Sequence, residues 1–187
     1  MGVTIITAGR GEGKTTFLIA YTAWQAALGR SIGGIAAPAA FEDGIRVGYD
    51  LLDLRTGQRR LLARIAAPQG TPPTIGMYRF DDEAVTQGNS AITSAIKDRF
   101  DVVGIDEVGQ LEFQGGGWSE ALRFSLLEYR RLQELVVVVR RQFAHQLSEC
   151  FPHDGWQSAR RVSPPWPTFT LKSVYKDPSP FQGEGQG

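Results

Sequence analysis

A glycine-rich stretch near the start of the chain, between an apolar strand pattern and a helical pattern, constrains the fold most. It contains nine residues: Ala8, Gly9, Arg10, Gly11, Glu12, Gly13, Lys14, Thr15 and Thr16. The preceding run 3–7 is β-branched at every position, which predicts a short buried strand. A turn between a strand and a helix points several backbone N–H groups into one hollow, where the helix dipole also attracts anions. The stretch therefore predicts a phosphate-binding loop, or P-loop (Walker A), with alanine in place of the first glycine.

The residue types of this loop suggest how it would bind a nucleotide. Gly9, Gly11 and Gly13 allow positive φ angles and the close approach of an anion. Lys14 supplies a positive charge for the β- and γ-phosphates, and the Thr15 hydroxyl is a ligand for Mg²⁺. The residues that follow have helical spacing and precede Gly29: Phe17, Leu18, Tyr21, Trp24 and Leu28. Because strand, loop and helix occur in the order that the motif requires, we predict nucleotide binding over residues 8–16.

A second apolar strand pattern ends in two adjacent carboxylates, Asp106 and Glu107. Mg²⁺ on the phosphates needs an anionic contact beside the threonine hydroxyl, and Asp106 (Walker B) is predicted to provide it through water. Glu107, at the exit of the strand, is predicted to orient or deprotonate the water that attacks the γ-phosphate. Acidic residues at strand ends also serve as helix caps or lie in solvated turns. The assignment therefore depends on the P-loop, and we expect Thr15 and Asp106 to lie side by side.

The segments between these two motifs predict further strands and helices. Residues 31–38 form a strand or strand-like loop whose two glycines allow close backbone approach. Residues 41–66 alternate in polarity around turns at 42–44 and 55–58, which predicts a small antiparallel insertion. Covering a sheet edge is the favoured role of this insertion, with a substrate platform as the alternative. A loop at 68–73, a strand at 74–80 and two short helices separated by Gly88 are expected next, the second helix capped by Asn89 or Ser90.

The second half of the chain predicts the centre of the sheet and a second set of site candidates. Residues 114–118 read as a flexible loop, and Glu112 before it is either a hydrogen-bond acceptor near the phosphates or a solvated carboxylate. Ser119 is expected to cap a helix, and the wholly apolar run 135–139 suits the middle of a parallel sheet. At its carboxyl end, Arg140 and Arg141 either neutralise transition-state charge or begin a solvated helix. A last strand is predicted at 168–174.

Composition narrows the class of protein. The chain has 187 residues, 42% of them hydrophobic, which suits one domain; we place it at residues 1–176, with a disordered tail at 177–187. Twenty basic and twenty acidic residues balance, so there is no overall attraction to nucleic acid or to a membrane surface. A protein partner is left open. Cys150 is the sole cysteine, and no secretory leader or bilayer-spanning run is visible, so a cytoplasmic protein is expected.

These features together resemble a small family of P-loop nucleoside-triphosphatases with a cancer-related vertebrate member and thermophile enzymes. Besides residues 8–16, the resemblance rests on these segments: 33–34, 48–49, 54–57, 76–78 and 101–112. The resemblance covers roughly residues 3–150 and is most specific at 106–112. It implies a RecA-like α/β core with a mostly parallel sheet flanked by helices, and slow hydrolysis of nucleoside triphosphates with broad base tolerance. The chain departs from the family at residues 35–38, at Gln110 and in lacking an Asn-Arg pair near the C-terminus.

Three classes of function compete on this basis. The first is a Mg²⁺-dependent phosphohydrolase acting on ATP and other nucleoside triphosphates, with Lys14 and Glu107 as catalytic residues. The absence of an Asn-Lys-x-Asp segment excludes the usual guanine-selective switch, and the adjacent carboxylate favours hydrolysis. The second is a small-molecule or nucleotide kinase, for which residues 59–60 or 160–161 would supply a basic lid, unless these arginines only lie on the surface. The third is a nucleotide-dependent binding module with little turnover.

Overall fold

A computed structural model describes residues 2–66 and 74–168, and they form one mixed β-sheet with helices on both faces. Nine strands lie in these residues: β1 (Gly2–Ala8), β2 (Ile32–Ala36), β3 (Ala39–Glu42), β4 (Ile45–Asp53), β5 (Arg59–Ile65), β6 (Tyr78–Phe80), β7 (Val102–Val108), β8 (Glu134–Arg140) and β9 (Arg160–Val162). The α-helices are α1 (Lys14–Ala27), α2 (Asp82–Lys97), α3 (Gln110–Phe113), α4 (Ser119–Glu128) and α5 (Gln146–Cys150). The predicted α/β class is therefore confirmed.

The sheet has a parallel half and an antiparallel half. Its order is β6-β5-β4-β2-β7-β8-β1-β9, and β3 pairs with β4. Strands β2, β7, β8, β1 and β9 run parallel, whereas β3, β4, β5 and β6 pair antiparallel. The predicted insertion is thus present, and β4 joins it to the edge of the parallel half through β2. The carboxyl ends of β1, β7 and β8 meet at one edge of the sheet, which is where open α/β sheets bind ligands.

The central position of β8 explains why its sequence does not alternate between apolar and polar residues. Val136 and Val138 face α1, in a cluster with Phe17 and Leu18. Their neighbours on β8 face α2 and α4 and join the larger cluster: Leu135, Val137 and Val139. Both faces of a central parallel strand are covered by helices, so every position from 135 to 139 is apolar. The prediction for 135–139 is confirmed.

Two paired glycines allow β2 and β7 to approach each other closely. Gly34 lies opposite Gly104 in the parallel register. A Cβ placed on Gly34 would lie 2.0 Å from the carbonyl oxygen of Gly104, and the φ of Gly34 is 91°. The close backbone approach predicted for residues 33–34 is confirmed.

The structure corrects two predictions between β5 and β7. The strand expected at 74–80 is only Tyr78–Phe80, because Gly76 adopts φ 56° and the residues before Tyr78 turn. The helices expected on either side of Gly88 are one continuous helix, α2, and its N-cap is Asp81, whose carboxylate accepts a hydrogen bond from Ala84 N at 2.7 Å. Asn89 therefore caps nothing. Its amide donates to the carbonyls of Val85 and Gly117.

Tertiary packing explains why the glycine in α2 does not end the helix. A Cβ on Gly88 would lie 2.4 Å from the indole of Trp118 on the neighbouring segment. Glycine at this position makes room for a buried aromatic ring, and the packing of that ring offsets the poor helix propensity of glycine.

Gly88→Ala is expected to lower the free energy of unfolding by about 1–3 kcal/mol, although alanine is the better helix former. The reason is that the new methyl group would displace the Trp118 ring. Urea unfolding monitored by circular dichroism measures the change. Ser90→Ala on the exposed face of the same helix is the control and is expected to be neutral or slightly stabilising. A stabilised Gly88→Ala protein would contradict the packing argument.

Several predictions lie outside the described residues. They are the loop at 68–73, the strand at 168–174 beyond its first residue, and the tail at 177–187. The single-domain boundary at 176 is likewise a prediction. Within residues 2–66 and 74–168, no helix combines the length and apolarity required to cross a bilayer.

Candidate functional site

The predicted P-loop connects the end of β1 to the start of α1. Ala8 is the last residue of β1, and Lys14 is the first residue of α1. Gly11 and Gly13 adopt φ angles of 76° and 79°, in the left-handed region that favours glycine. The first turn of α1 carries Lys14, Thr15 and Thr16, so the helix N-terminus faces the loop. The strand, loop and helix predicted from the sequence are present.

Gly9 has a different role from the other two glycines. A Cβ at this position would lie 2.6 Å from a carboxylate oxygen of Glu12. The Gly9 N–H donates to Glu12 Oε2 at 2.8 Å, and Arg141 Nη2 lies 3.4 Å from the same oxygen. Glycine here therefore allows the Glu12 side chain to fold back across the loop. Arg10, by contrast, is exposed.

Lys14 is buried at the base of the loop. Its ammonium donates a hydrogen bond to the Gly9 carbonyl at 2.8 Å, and only 6% of the residue is exposed. Burial lowers the pKa of Lys14, whereas Glu107 and Asp106 act in the opposite direction. A lysine held in this way gains from an incoming anion, because phosphate restores the solvation that burial removes.

Asp106 lies beside the start of α1, as predicted. It is fully buried; Oδ2 accepts from Ala37 N at 2.9 Å and Oδ1 from Glu107 N at 2.8 Å. The Thr15 side chain lies near this carboxylate and acts to lower its pKa. Burial, together with the nearby charge of Glu107, raises the pKa of Asp106 to about 6. The structure therefore brings together the two residues that the sequence predicts as metal ligands, across about ninety positions of chain.

Glu107 is directed by an irregularity in β7. The register between β7 and β8 shifts between Ile105 and Val108, and Glu107 has φ 54°, which is unusual for a residue other than glycine. Its carboxylate lies 3.4 Å from Arg140 Nη2 at the end of β8. A bulge of this kind turns a side chain away from its regular position and is frequent next to functional sites.

The two arginines after the central strand differ in their surroundings. Arg140 ends β8 and is about one-third exposed, and its partner is Glu107. Arg141 begins a short 3₁₀ turn, is mostly exposed and pairs with Glu12 of the P-loop. Each arginine thus contacts a candidate site residue. The solvated helix start expected from the sequence describes Arg141 and not Arg140.

The interpretation of Glu112 as a solvated loop carboxylate is wrong. Glu112 lies in α3 and is only 4% exposed. Its two oxygens accept hydrogen bonds from Gly109 N at 2.8 Å and Trp118 N at 3.2 Å. Burial raises the pKa of Glu112 to about 7. The residue thus ties both ends of the 109–118 segment together, and Trp118 rather than Ser119 is the N-cap of α4.

Each of the two basic pairs considered as a lid lies in a β-strand and has one arginine in an ion pair. Arg59 and Arg60 lie in β5, and Arg60 contacts Asp81 and Glu83 near the start of α2 at 3.6 and 3.3 Å. The other pair lies in β9, where Arg160 contacts Glu134 at 3.0 Å. Both pairs are therefore strand residues of the sheet.

Sequence reasoning missed two aromatic features near the P-loop. Trp166 donates from Nε1 to the Glu12 carbonyl at 2.8 Å and stacks on Phe17 with ring centroids 4.7 Å apart. Separately, Tyr49 and Tyr78 line a cavity of about 340 Å³ that also reaches Glu107. The pairs Gly48-Tyr49 and Met77-Tyr78 were singled out only because they match the segments shared with the nucleoside-triphosphatase family. Trp166 gave no signal beyond its Pro-rich surroundings.

Comparison with known proteins agrees with this geometry. A family model described as NTPase matches residues 3–155, most of the 187-residue chain. The chain belongs to the NTPase family. A curated relative, the nucleoside-triphosphatase THEP1 of Methanopyrus kandleri, is 34% identical over 119 residues. That match covers 64% of the present chain and 64% of the relative, so the chain spans slightly less than two thirds of the relative's length.

Solved structures place the chain in the same NTPase fold. The solution structure of a human cancer-related nucleoside triphosphatase has a TM-score of 0.65 and 18% identity, and the match covers 98% of this chain and 100% of that one. The crystal structure of THEP1 from Aquifex aeolicus has a TM-score of 0.65 and 20% identity, covering 92% and 96%. The similarity at this level of identity establishes the fold of the NTPase family, and the predicted P-loop NTPase core is confirmed.

Proposed function

We propose that this protein is a Mg²⁺-dependent phosphohydrolase that releases the γ-phosphate of ATP and of other nucleoside triphosphates. The observation that carries the proposal is the contact between Thr15 and the buried Asp106, directly beside Lys14 and Glu107. P-loop NTPases hold Mg²⁺ with two protein groups, a Ser or Thr hydroxyl at the start of the P-loop helix and a Walker B aspartate. The name of the Methanopyrus kandleri relative, a nucleoside-triphosphatase, supports the same activity.

The residues present fit Mg²⁺. Asp106 is a fully buried carboxylate with a raised pKa, so its charged form gains strongly from a nearby cation. In residues 2–66 and 74–168 no group of three or more His, Cys, Asp or Glu side chains could hold a metal by itself. Mg²⁺ does not need one, because it is held through one or two protein oxygens, substrate phosphates and water. When bound, Mg²⁺ would neutralise negative charge on the phosphate oxygens.

Lys14 and the loop amides bind the phosphates in this proposal. The backbone N–H groups between Gly11 and Thr16 hold the β- and γ-phosphates at the helix N-terminus, and Ala8 and Gly9 set the entry to the loop. The Lys14 ammonium, now bonded to the Gly9 carbonyl at 2.8 Å, can exchange this contact for phosphate oxygens. Arg10 and Glu12, the other two charged residues of the loop, border the bound phosphates.

Glu107 acts on the attacking water. Its carboxylate accepts a hydrogen bond from the water and takes its proton as the oxygen bonds to the γ-phosphorus. The ion pair with Arg140, at 3.4 Å, holds the carboxylate in position. The bulge that gives Glu107 its φ of 54° turns the side chain away from the regular strand position.

The cytoplasm is the proposed location, because a single cysteine suits a reducing compartment.

Phosphate release from ATP, GTP, CTP and UTP tests the proposal, with Lys14→Ala as the blank. The wild type in Mg²⁺ is expected to release phosphate from several of the four nucleotides, and chelation with EDTA should abolish release. Lys14→Ala should lower it by at least about 100-fold, because the buried ammonium is the charge that binds the phosphates. Nucleotide binding without release by the wild type would instead favour a binding module.

A further inference from the structure

The cavity next to Glu107 is the part of the molecule that hydrolysis does not explain. It measures about 340 Å³, within the range of small-molecule pockets. The insertion and β6 supply one wall, with the rings of Tyr49, Tyr78 and Phe80, and Trp118 lies in another. Charged and amide side chains line the cavity as well: Arg10, Glu107, Gln110, Glu112, Arg140 and Gln142. The lining is thus mixed, with aromatic and apolar side chains beside polar groups that include the candidate site residues Arg10 and Glu107.

The nucleotide itself does not fill this cavity. In the proposed function the γ-phosphate lies beside Glu107, and the other phosphates follow the loop toward Thr15 and Thr16 at the start of α1. In this placement the base follows the phosphates toward the start of α1, where Trp166 contacts Glu12 and Phe17. The cavity adjoins Glu107 and Arg10 and therefore lies beyond the γ-phosphate.

An attacking water does not account for the cavity either. One water occupies about 30 Å³ in the liquid, so the cavity has about ten times the volume of the single water that hydrolysis requires. The volume and the mixed lining both suit a second molecule that carries a flat apolar part and a polar group.

The aromatic wall is held in a fixed orientation. The rings of Tyr49 and Tyr78 meet edge to face with centroids 5.1 Å apart, and the guanidinium of Arg46 lies 4.3 Å from the centre of the Tyr49 ring. Tyr49 is only 7% exposed. Rings positioned in this way bind a flat ring by stacking or edge contacts at little cost in side-chain entropy.

We propose that this cavity binds a planar heteroaromatic molecule carrying a primary hydroxyl group, and that the hydroxyl accepts the γ-phosphoryl group in place of water. The proposal rests on the proposed function for its nucleotide site. The flat ring matches the aromatic wall, and the hydroxyl matches the Glu107 carboxylate, which accepts a hydrogen bond from it. Nucleosides and hydroxymethyl pyridines or pyrimidines have this chemistry.

The transfer balances without a further reactant. The hydroxyl oxygen of the acceptor forms a bond to the γ-phosphorus, and the bond from that phosphorus to the β–γ bridging oxygen breaks. The bridging oxygen leaves with the electron pair as the terminal oxygen of the nucleoside diphosphate. Glu107 takes the hydroxyl proton, as it takes the water proton in hydrolysis.

The test is transfer from γ-labelled ATP to a panel of the four ribonucleosides, pyridoxine and thiamine, with the full-length protein and Mg²⁺. At least one phosphorylated alcohol is expected to form at ten times or more the rate without protein, with a matching fall in released phosphate. Release of phosphate from ATP with no labelled alcohol from any member overturns this proposal and leaves the hydrolase intact. Transfer without hydrolysis upholds it and corrects the proposed function. A protein with neither activity overturns both.

Two variants assign the activity to the cavity. Tyr78→Ala is expected to raise the KM for the accepted alcohol about 10- to 100-fold, the loss expected for one stacking ring. Met77→Trp fills the mouth of the cavity from a residue that is 52% exposed, so the fold tolerates it, and should lower the ratio of transfer to hydrolysis about tenfold. Tyr129→Ala removes a ring that packs against His153, away from the cavity, and is the matched control. Equal KM values for the Tyr78→Ala and Tyr129→Ala proteins would overturn the assignment.

Discussion

Glu107→Gln is expected to lower phosphate release from nucleoside triphosphates by about 10²- to 10⁴-fold, the range for loss of a general base. Glutamine keeps the length of the side chain, and its amide oxygen can still accept from Arg140. It cannot take a proton from water at neutral pH. The phosphate contacts of Lys14 and the loop amides are untouched, so nucleotide affinity should stay within about threefold of the wild type.

Single-turnover phosphate release and equilibrium binding of a fluorescent nucleotide measure the two quantities separately. Glu120→Gln changes an exposed glutamate in the first turn of α4 and is the matched control, with wild-type values expected for both. If Glu107→Gln releases phosphate as fast as the control while binding nucleotide normally, Glu107 is not the base. If binding is lost together with turnover, the substitution has damaged the nucleotide site and not the chemical step.

The parts of the site that the sequence predicted are those encoded by continuous stretches. The P-loop carries its own strand, glycines and helix start within residues 2–27, so local rules suffice. The apolar strand pattern that leads to Asp106 and Glu107 is similarly local. Their meeting in space followed from chemistry, because Mg²⁺ on phosphates needs both a hydroxyl and a carboxylate. The contact between Thr15 and Asp106 agrees with that requirement.

The parts that the sequence did not predict depend on contacts between distant segments. Gly88 was predicted to break the helix because helix propensity does not take account of the Trp118 ring that packs against it. For Glu112 the sequence did not distinguish a hydrogen-bond acceptor from a solvated carboxylate. The backbone N–H groups of Gly109 and Trp118 reach its carboxylate only when the segment folds around it. The cavity has no sequence signature, since its wall joins residues from β4, β6 and the loop after β7.

The same long-range packing connects the fold to the site through the paired strands β2 and β7. Ala37, just after β2, donates to Asp106 Oδ2 at 2.9 Å, so the position of the carboxylate depends on how closely β2 lies against β7. That closeness depends on Gly34 and Gly104, which face each other in register. A substitution there tests whether the site relies on the close approach of the two backbones.

Gly34→Ala is expected to lower the free energy of unfolding by about 3–5 kcal/mol, among the largest effects of a single substitution. The new Cβ would lie 2.0 Å from the Gly104 carbonyl oxygen, and backbone atoms in the middle of a sheet cannot move aside as a side chain can. Alanine is also strained at φ 91°. For a chain of this size the loss corresponds to a fall in Tm of about 10 °C.

Gly44→Ala separates the steric clash from the backbone strain. Gly44 has φ 76° in the turn between β3 and β4 but no heavy atom within 4 Å of its Cβ position. It should therefore show the conformational cost alone, about 1–2 kcal/mol. Thermal unfolding of the two variants, measured side by side, gives the difference due to the clash. Equal losses would mean that β2 and β7 separate without cost. In that case the close approach of the two strands could not be what holds Ala37 against Asp106.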